Sequence, residues 1–166
     1  MMMGGKPQAN PLPEPRFVES GPLLLAGLVE RHRDSNSGIP AQWQRFAAEC
    51  GRLPGPVDGA AYGVVFDAAQ SGMDFSYLTG IEVNHRKNLP DSFERLEIPA
   101  RQYAVFAHSG HVSTLPQTMQ SIWQDWLPRS GVRPDSGRVS FFERYGEEFD
   151  PASGTGGFEI WFPVTA

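Results

Sequence analysis

The sequence predicts an α+β fold of tandem duplicated β-α-β-β units with pseudo-twofold symmetry. Its antiparallel sheets carry helices on one face, and a ligand groove lies between the halves. Three observations carry this prediction. First, Ile39–Cys50 (IPAQWQRFAAEC) and Leu115–Trp126 (LPQTMQSIWQDW) are offset by 76 residues, and each opens on an aliphatic residue followed by Pro. Second, Trp43, Phe46, Ala47 and Cys50, then Met119, Ile122, Trp123 and Trp126, fall at the i, i+3, i+4, i+7 spacing of one helix face. Third, Val64-Val65-Phe66 matches Ser140-Phe141-Phe142 at the same offset, so the duplication runs on past the helix.

The elements follow in order. Met1–Pro15 is rich in Pro, Gly and polar residues and reads as a flexible tail, with no room for a helix-turn-helix ahead of the first strand. Arg16–Arg33, with LLLAGLV at its centre, reads as a strand. Ser37-Gly38-Ile39-Pro40 starts a helix, because Pro suits a first turn, and Gly51 and Pro54 stop it. Ala60–Ala68 is a strand, Gln70-Ser71-Gly72 a turn, and Asp74–Asn84 the next strand. The second half repeats the order. Phe93–His108 is a strand, and Ser113–Leu127 is a helix ended by Pro128 and Gly131. Arg138–Tyr145 is a strand, Asp150–Gly157 a Gly/Ser-rich loop, and Phe158–Val164 the last strand. The half-repeats span about 16–91 and 92–166, together one binding domain over 16–166.

Composition narrows the function. The chain has 166 residues, 40% hydrophobic and 20% charged, with a net charge of −5, which suits a globular fold. No Lys/Arg cluster is available to neutralise phosphates, so direct nucleic-acid binding is not expected. No apolar run approaches the ~20 residues of a membrane span. The lone Cys50 lies on an apolar helical stripe and permits no intramolecular disulfide, which fits a cytoplasmic location. Walker A, G-x-S-x-G and G-x-G-x-x-G motifs are absent from the sequence. No Cys/His cluster supports a metal, and no cofactor is expected. His32, His85, His108 and His111 read as surface or turn residues.

Glu159 is the first candidate site residue, because it interrupts the otherwise apolar FEIWFPV. Strand alternation puts Glu159 on the same face as Trp161. A carboxylate beside an indole suits an organic cation, since cation–π attraction adds ~0.5–2 kcal/mol. Periodicity alone fits a solvated sheet edge equally well. Phe141, Tyr145, Phe106, Trp126 and Trp161 are candidate aromatic walls, although most aromatics at helical core spacing only pack. Glu143 and Tyr145 share strand parity with Phe141. If the chain is an enzyme, Glu159 and Tyr145 would activate a water, which requires them to be adjacent.

Four segments carry a family likeness: FSYLTGIEV (Phe75–Val83), IPARQYAVFAHSGH (Ile98–His111), WQDWLPRSG (Trp123–Gly131), and FERYGEEFDP followed by FEIWFPV. In order and spacing the chain resembles the GyrI-like proteins, also called AraC-type effector-binding domains, over about Arg16–Val164. The resemblance implies a pseudo-twofold pair of β-α-β-β units with a groove along the dyad, binding bulky, lipophilic, often cationic molecules. It implies that Glu159 matches a groove carboxylate on the last strand, and that Tyr145 in the E-x-Y segment forms a second wall. Some relatives look like hydrolases of cyclopropane-bearing toxins, and others resemble inhibitors of DNA gyrase. The expectation is therefore a stand-alone binder of lipophilic, cationic compounds, for sequestration or sensing. A toxin hydrolase and a gyrase-directed interaction module are the alternatives. A homodimer is a further expectation.

Overall fold

The computed structural model of the chain describes residues 14–33, 38–49, 60–69, 74–83, 93–108, 114–134, 138–146 and 158–165. The tail through residue 13, Cys50, the turn at 70–72, His85, His111 and the loop at 150–157 lie outside the described residues. The strands are β1 (Arg16–Ser20), β2 (Leu23–Arg33), β3 (Ala61–Phe66), β4 (Asp74–Glu82), β5 (Glu94–Ile98), β6 (Arg101–His108), β7 (Arg133–Pro134), β8 (Val139–Tyr145) and β9 (Phe158–Thr165). Helix α1 is Ile39–Glu49. Helix α2 (Leu115–Ser121) continues through a π-helical segment, Ile122–Trp126, into α3 (Leu127–Ser130).

Among the described residues all nine strands join one sheet, in the order β1-β6-β9-β8-β3-β4-β2-β5, with β7 added on β9. Every pairing is antiparallel. The chain is thus an α+β protein made mostly of strands. Two of the expected strands divide. Gly21-Pro22 separates β1 from β2, and Pro99-Ala100 separates β5 from β6. Proline has no N–H to give to a ladder, so each break turns the chain out of its strand. The short leading strands then cross over: β1 pairs with β6, and β5 pairs with β2.

Both helical segments pack on the same face of the sheet. Phe46 of α1 sits against Ala26, Ile81, Val83 and Phe93. Ile122 and Trp126 sit against Ala104, Phe106, Ile160 and Phe162, with the Trp126 ring edge-on to Phe106 at 5.0 Å. The opposite face buries Leu25, Tyr62, Val64, Leu78, Tyr103 and Phe142. Each fully buried apolar side chain of this kind contributes about 1.5–3 kcal/mol.

The second helix departs from the expected stripe. Trp126 is buried, but Trp123 is 47% exposed, its ring edge-on to Phe162 at 5.2 Å. The π turn accounts for the change of phase. The Leu127 N–H reaches back five residues to the Ile122 carbonyl. Pro128 has no N–H with which to continue the ordinary ladder, and the wider turn absorbs that gap. Gly131, at φ 81°, then ends the helix in the left-handed conformation that glycine adopts without steric cost.

A buried carboxylate between two tyrosines

The helix-bearing face contains an acidic centre on its middle strands. In register, Gly63 of β3 lies between Glu143 of β8 and Thr79 of β4, and Val65 lies between Phe141 and Tyr77. Directly paired residues project to the same face, so Glu143, Phe141, Tyr145 and Tyr77 all point toward the helices. Glu143 is only 5% exposed. The Tyr77 and Tyr145 hydroxyls both donate to its Oε1, each at 2.8 Å. Among the described residues nothing donates to Oε2, and no Arg, Lys or His pairs with this carboxylate.

Trp43 of α1 links the two tyrosines. Its Nε1–H donates to the Tyr77 hydroxyl at 3.2 Å, and its ring meets Tyr145 edge-on at 5.4 Å. Phe158 adds a further wall, 4.8 Å from Tyr145 between ring centroids. The helix is pinned by the fully buried Gln42, whose Nε2 donates to the Leu28 carbonyl at 3.0 Å and to the Tyr77 carbonyl at 2.7 Å. With its amide nitrogen so used, Gln42 Oε1 accepts from His32 Nε2 at 2.7 Å, which fixes the tautomer of that ring. Gln42 thereby satisfies its polar atoms while anchoring α1 above β2 and β4.

The electrostatics follow from burial. Removal from water pushes the Glu143 carboxyl up from 4.5 to about 7, against the two tyrosine hydrogen bonds that pull it down. Burial and the adjacent Glu143 charge push both tyrosine hydroxyls up, so they remain protonated donors. A carboxyl poised near neutrality, with two hydroxyl donors on one oxygen and none from the described residues on the other, is able to accept either a proton or a cation.

The expected site residues separate into two groups. Tyr145, Phe141, Phe106 and Trp126 belong to one packed cluster on the helix-bearing face. Glu159 and Trp161 project from the opposite face, because Glu159 pairs with Arg144 and Trp161 with Phe142, while Glu143 pairs with Ile160. There Glu159 Oε2 accepts from Arg16 Nη2 at 3.0 Å and Oε1 accepts from Trp161 Nε1 at 2.9 Å, with Arg144 Nη1 4.0 Å away. Glu159 is thus already counter-charged, and it does not converge with Tyr145 on any one point. The Trp161 ring stacks on Phe142 at 5.3 Å and 17°. The acid–base pair of the hydrolase alternative therefore does not form.

The histidine expectation also needs correcting. His32 and His108 are buried, and His108 lies within hydrogen-bonding distance of the hydroxyls of Thr114 and Thr118, at 2.9 and 3.0 Å. Residues that the sequence reasoning passed over are Tyr77, Trp43, Gly63 and, as the central acid, Glu143. The signal for Glu143 was present in its shared parity with Tyr145. A cavity of about 430 Å³ opens elsewhere, at the β1–β6 edge, lined by Glu19, Ser20, Gly21, Ala100, Arg101 and Gln102. It shares no residue with the acidic centre.

The family model described as the GyrI-like small molecule binding domain matches residues 13–165. The chain belongs to that family. This GyrI-like chain is 27% identical over 151 residues to the transcriptional regulator BrlR of Pseudomonas aeruginosa. The match covers 90% of the chain and 54% of BrlR, so the chain spans about half the length of that relative. Among solved structures it resembles SAV2435 bound to tetraphenylphosphonium, with a TM-score of 0.74 at 21% identity, covering 92% of this chain and 94% of that one. The EcmrR C-terminal domain gives a TM-score of 0.64 at 18% identity, covering 90% and 96%. At these identities the structural matches speak to the GyrI-like fold. No helix among the described residues is long and apolar enough to cross a membrane.

Proposed function

We propose that this GyrI-like chain binds lipophilic organic cations, with Glu143 as counter-charge, Tyr77, Tyr145 and Phe158 as aromatic walls, and Trp43 as the side chain that covers them. Phe141, Phe106 and Trp126 back those walls from the same cluster. The observation that carries the reading is a buried carboxylate that has two hydroxyl donors and no cation among the described residues. Burying a charge without a partner costs several kcal/mol, and a ligand cation would supply the missing partner. The ligand enters by displacing the Trp43 indole, which lies against both tyrosines, and takes the indole's place against their rings. The likeness to a protein bound to tetraphenylphosphonium supports the same chemical class. That ion offers phenyl faces and a delocalised charge but no hydrogen-bond donor.

The role is drug binding in the service of sequestration or sensing, exercised by one domain over residues 16–166. Two related halves remain our reading of the scaffold. The mirrored strand order and the equivalent contacts His32–Gln42 and His108–Thr118, set 76 residues apart, support it. Calorimetric titration with tetraphenylphosphonium tests the function. Saturable binding by the native chain and its loss in Glu143→Gln are expected, whereas equal affinity in both proteins would remove the reading.

A further inference from the structure

We infer that Gly63 is a specificity-determining position: its missing side chain is the gap through which Tyr77 reaches across β3 to hold Glu143 as a carboxylate. The inference rests on the cation-binding reading and adds a residue that touches no ligand. Tyr77 lies on β4 and Glu143 on β8, with β3 between them. Side chains on strands two apart, separated by ~9–10 Å of sheet, seldom meet when the middle strand carries a side chain on the same face. Here the middle residue is Gly63. A Cβ added there would stand 2.8 Å from Glu143 Oε1 and from Tyr77 Cζ, and it would overlap the Tyr77 hydroxyl outright. The Tyr77–Glu143 hydrogen bond thus occupies the volume that any other residue would fill.

The consequence is chemical. Tyr145 sits two residues from Glu143 on the same strand and reaches its Oε1 without crossing β3. Tyr77 cannot. Without the Tyr77 donor the carboxylate keeps one hydrogen bond where it had two, in an equally dry place. Loss of a donor to the charged form favours protonation, and a protonated Glu143 offers a cation nothing. Gly63 therefore decides whether the site discriminates charge or only shape. Gly63→Ala is the sharpest probe, because alanine is otherwise acceptable in a strand.

The experiment measures tetraphenylphosphonium and its neutral relative triphenylphosphine oxide by calorimetry at several pH values, in the native chain, Gly63→Ala, Tyr77→Phe and the double variant. The expected result is a loss of about tenfold or more in phosphonium affinity at pH 7 for each single variant, as for a hydrogen bond to a charged group. The midpoint of the pH profile should move upward, and phosphonium affinity should fall about tenfold further than phosphine oxide affinity, since the Tyr77 ring lies against either ligand. The double variant should show the same phosphonium-to-oxide ratio as Tyr77→Phe alone, since both changes break the same link, while the added Cβ still crowds the ring and lowers both affinities alike. Tyr77→Phe retaining the native phosphonium-to-oxide ratio and pH midpoint would overturn the inference, however Gly63→Ala behaves. Carbon-13 NMR titration of the Glu143 carboxyl without ligand provides a separate readout. An upward move in both variants sustains the link between Gly63 and Glu143 even if no phosphonium binds, and no move defeats it. Failure of the native chain to bind phosphonium would instead count against the cation-binding reading.

Discussion

Glu143→Gln should make the protein more stable in alkali while weakening its hold on cations. In the fold the carboxyl sits at about 7, against an ordinary 4.5, because burial disfavours its charge. A folded value above the unfolded one means that the fold favours the protonated form. That contribution is fully present below about pH 4.5 and is lost as pH rises through about 7. At about 1.4 kcal/mol per pH unit, the native protein forgoes about 3 kcal/mol by pH 9 relative to pH 4. Glutamine keeps an acceptor oxygen for both tyrosine hydroxyls and carries no charge. Urea unfolding of the two proteins should therefore give similar stabilities near pH 4.5 and a variant ahead by up to about 3 kcal/mol at pH 9. Phosphonium affinity should move the other way. A unit charge about 5 Å from the carboxylate gains about 3 kcal/mol at an effective dielectric near 20, or about a hundredfold in Kd. A variant less stable by the same amount at both pH values would refute the reasoning, because its cost would then be lost packing.

Other expectations concern the same face and its opposite. Phosphonium binding to the native chain should be strongest above about pH 8 and fall about tenfold per pH unit below about 7, measured by calorimetry. The ligand does not titrate, so a flat profile from pH 5.5 to 8.5 would mean that Glu143 is not the counter-charge. Glu159→Gln should leave phosphonium affinity unchanged and alter unfolding free energy by less than about 1 kcal/mol, since its partner Arg16 is 56% exposed. A tenfold loss of phosphonium affinity in that variant would return the site to the opposite face. Phe142→Ala, at a fully buried position, should cost about 3–5 kcal/mol in urea unfolding. A cost below 1 kcal/mol would mean that this face is not packed as described.

Much of the fold was legible because its signals are local. Apolar residues at helical spacing located α1 and the start of α2, and Gly131 marked the end of the second helix. Alternation located β3, β4, β8 and β9 to within a few residues. Illegible was what depends on strands far apart in sequence. The pairing of β1 with β6 and of β5 with β2 leaves no mark at either strand, since each is a short segment beside a Pro. The π segment was hidden for another reason. Its cause, Pro128, reads equally well as a helix stop, and the consequence is a change of phase that moves Trp123 out to solvent.

The candidate site was half legible. A glutamate in an apolar strand is conspicuous, and both FERY and FEIWFPV contain one. Alternation gives each its face but cannot tell which face is dry or which charges stand opposite. Across β8 and β9, Glu159 pairs with Arg144, so the very motif that supplies Glu143 also supplies a cation for Glu159. Glu143 pairs with Ile160 on one side and Gly63 on the other, and neither can answer its charge. The acid that finds a partner within the chain serves the fold. The acid that finds only hydroxyls has no cation among the described residues, and on the proposed reading it is there that a ligand has free energy to gain.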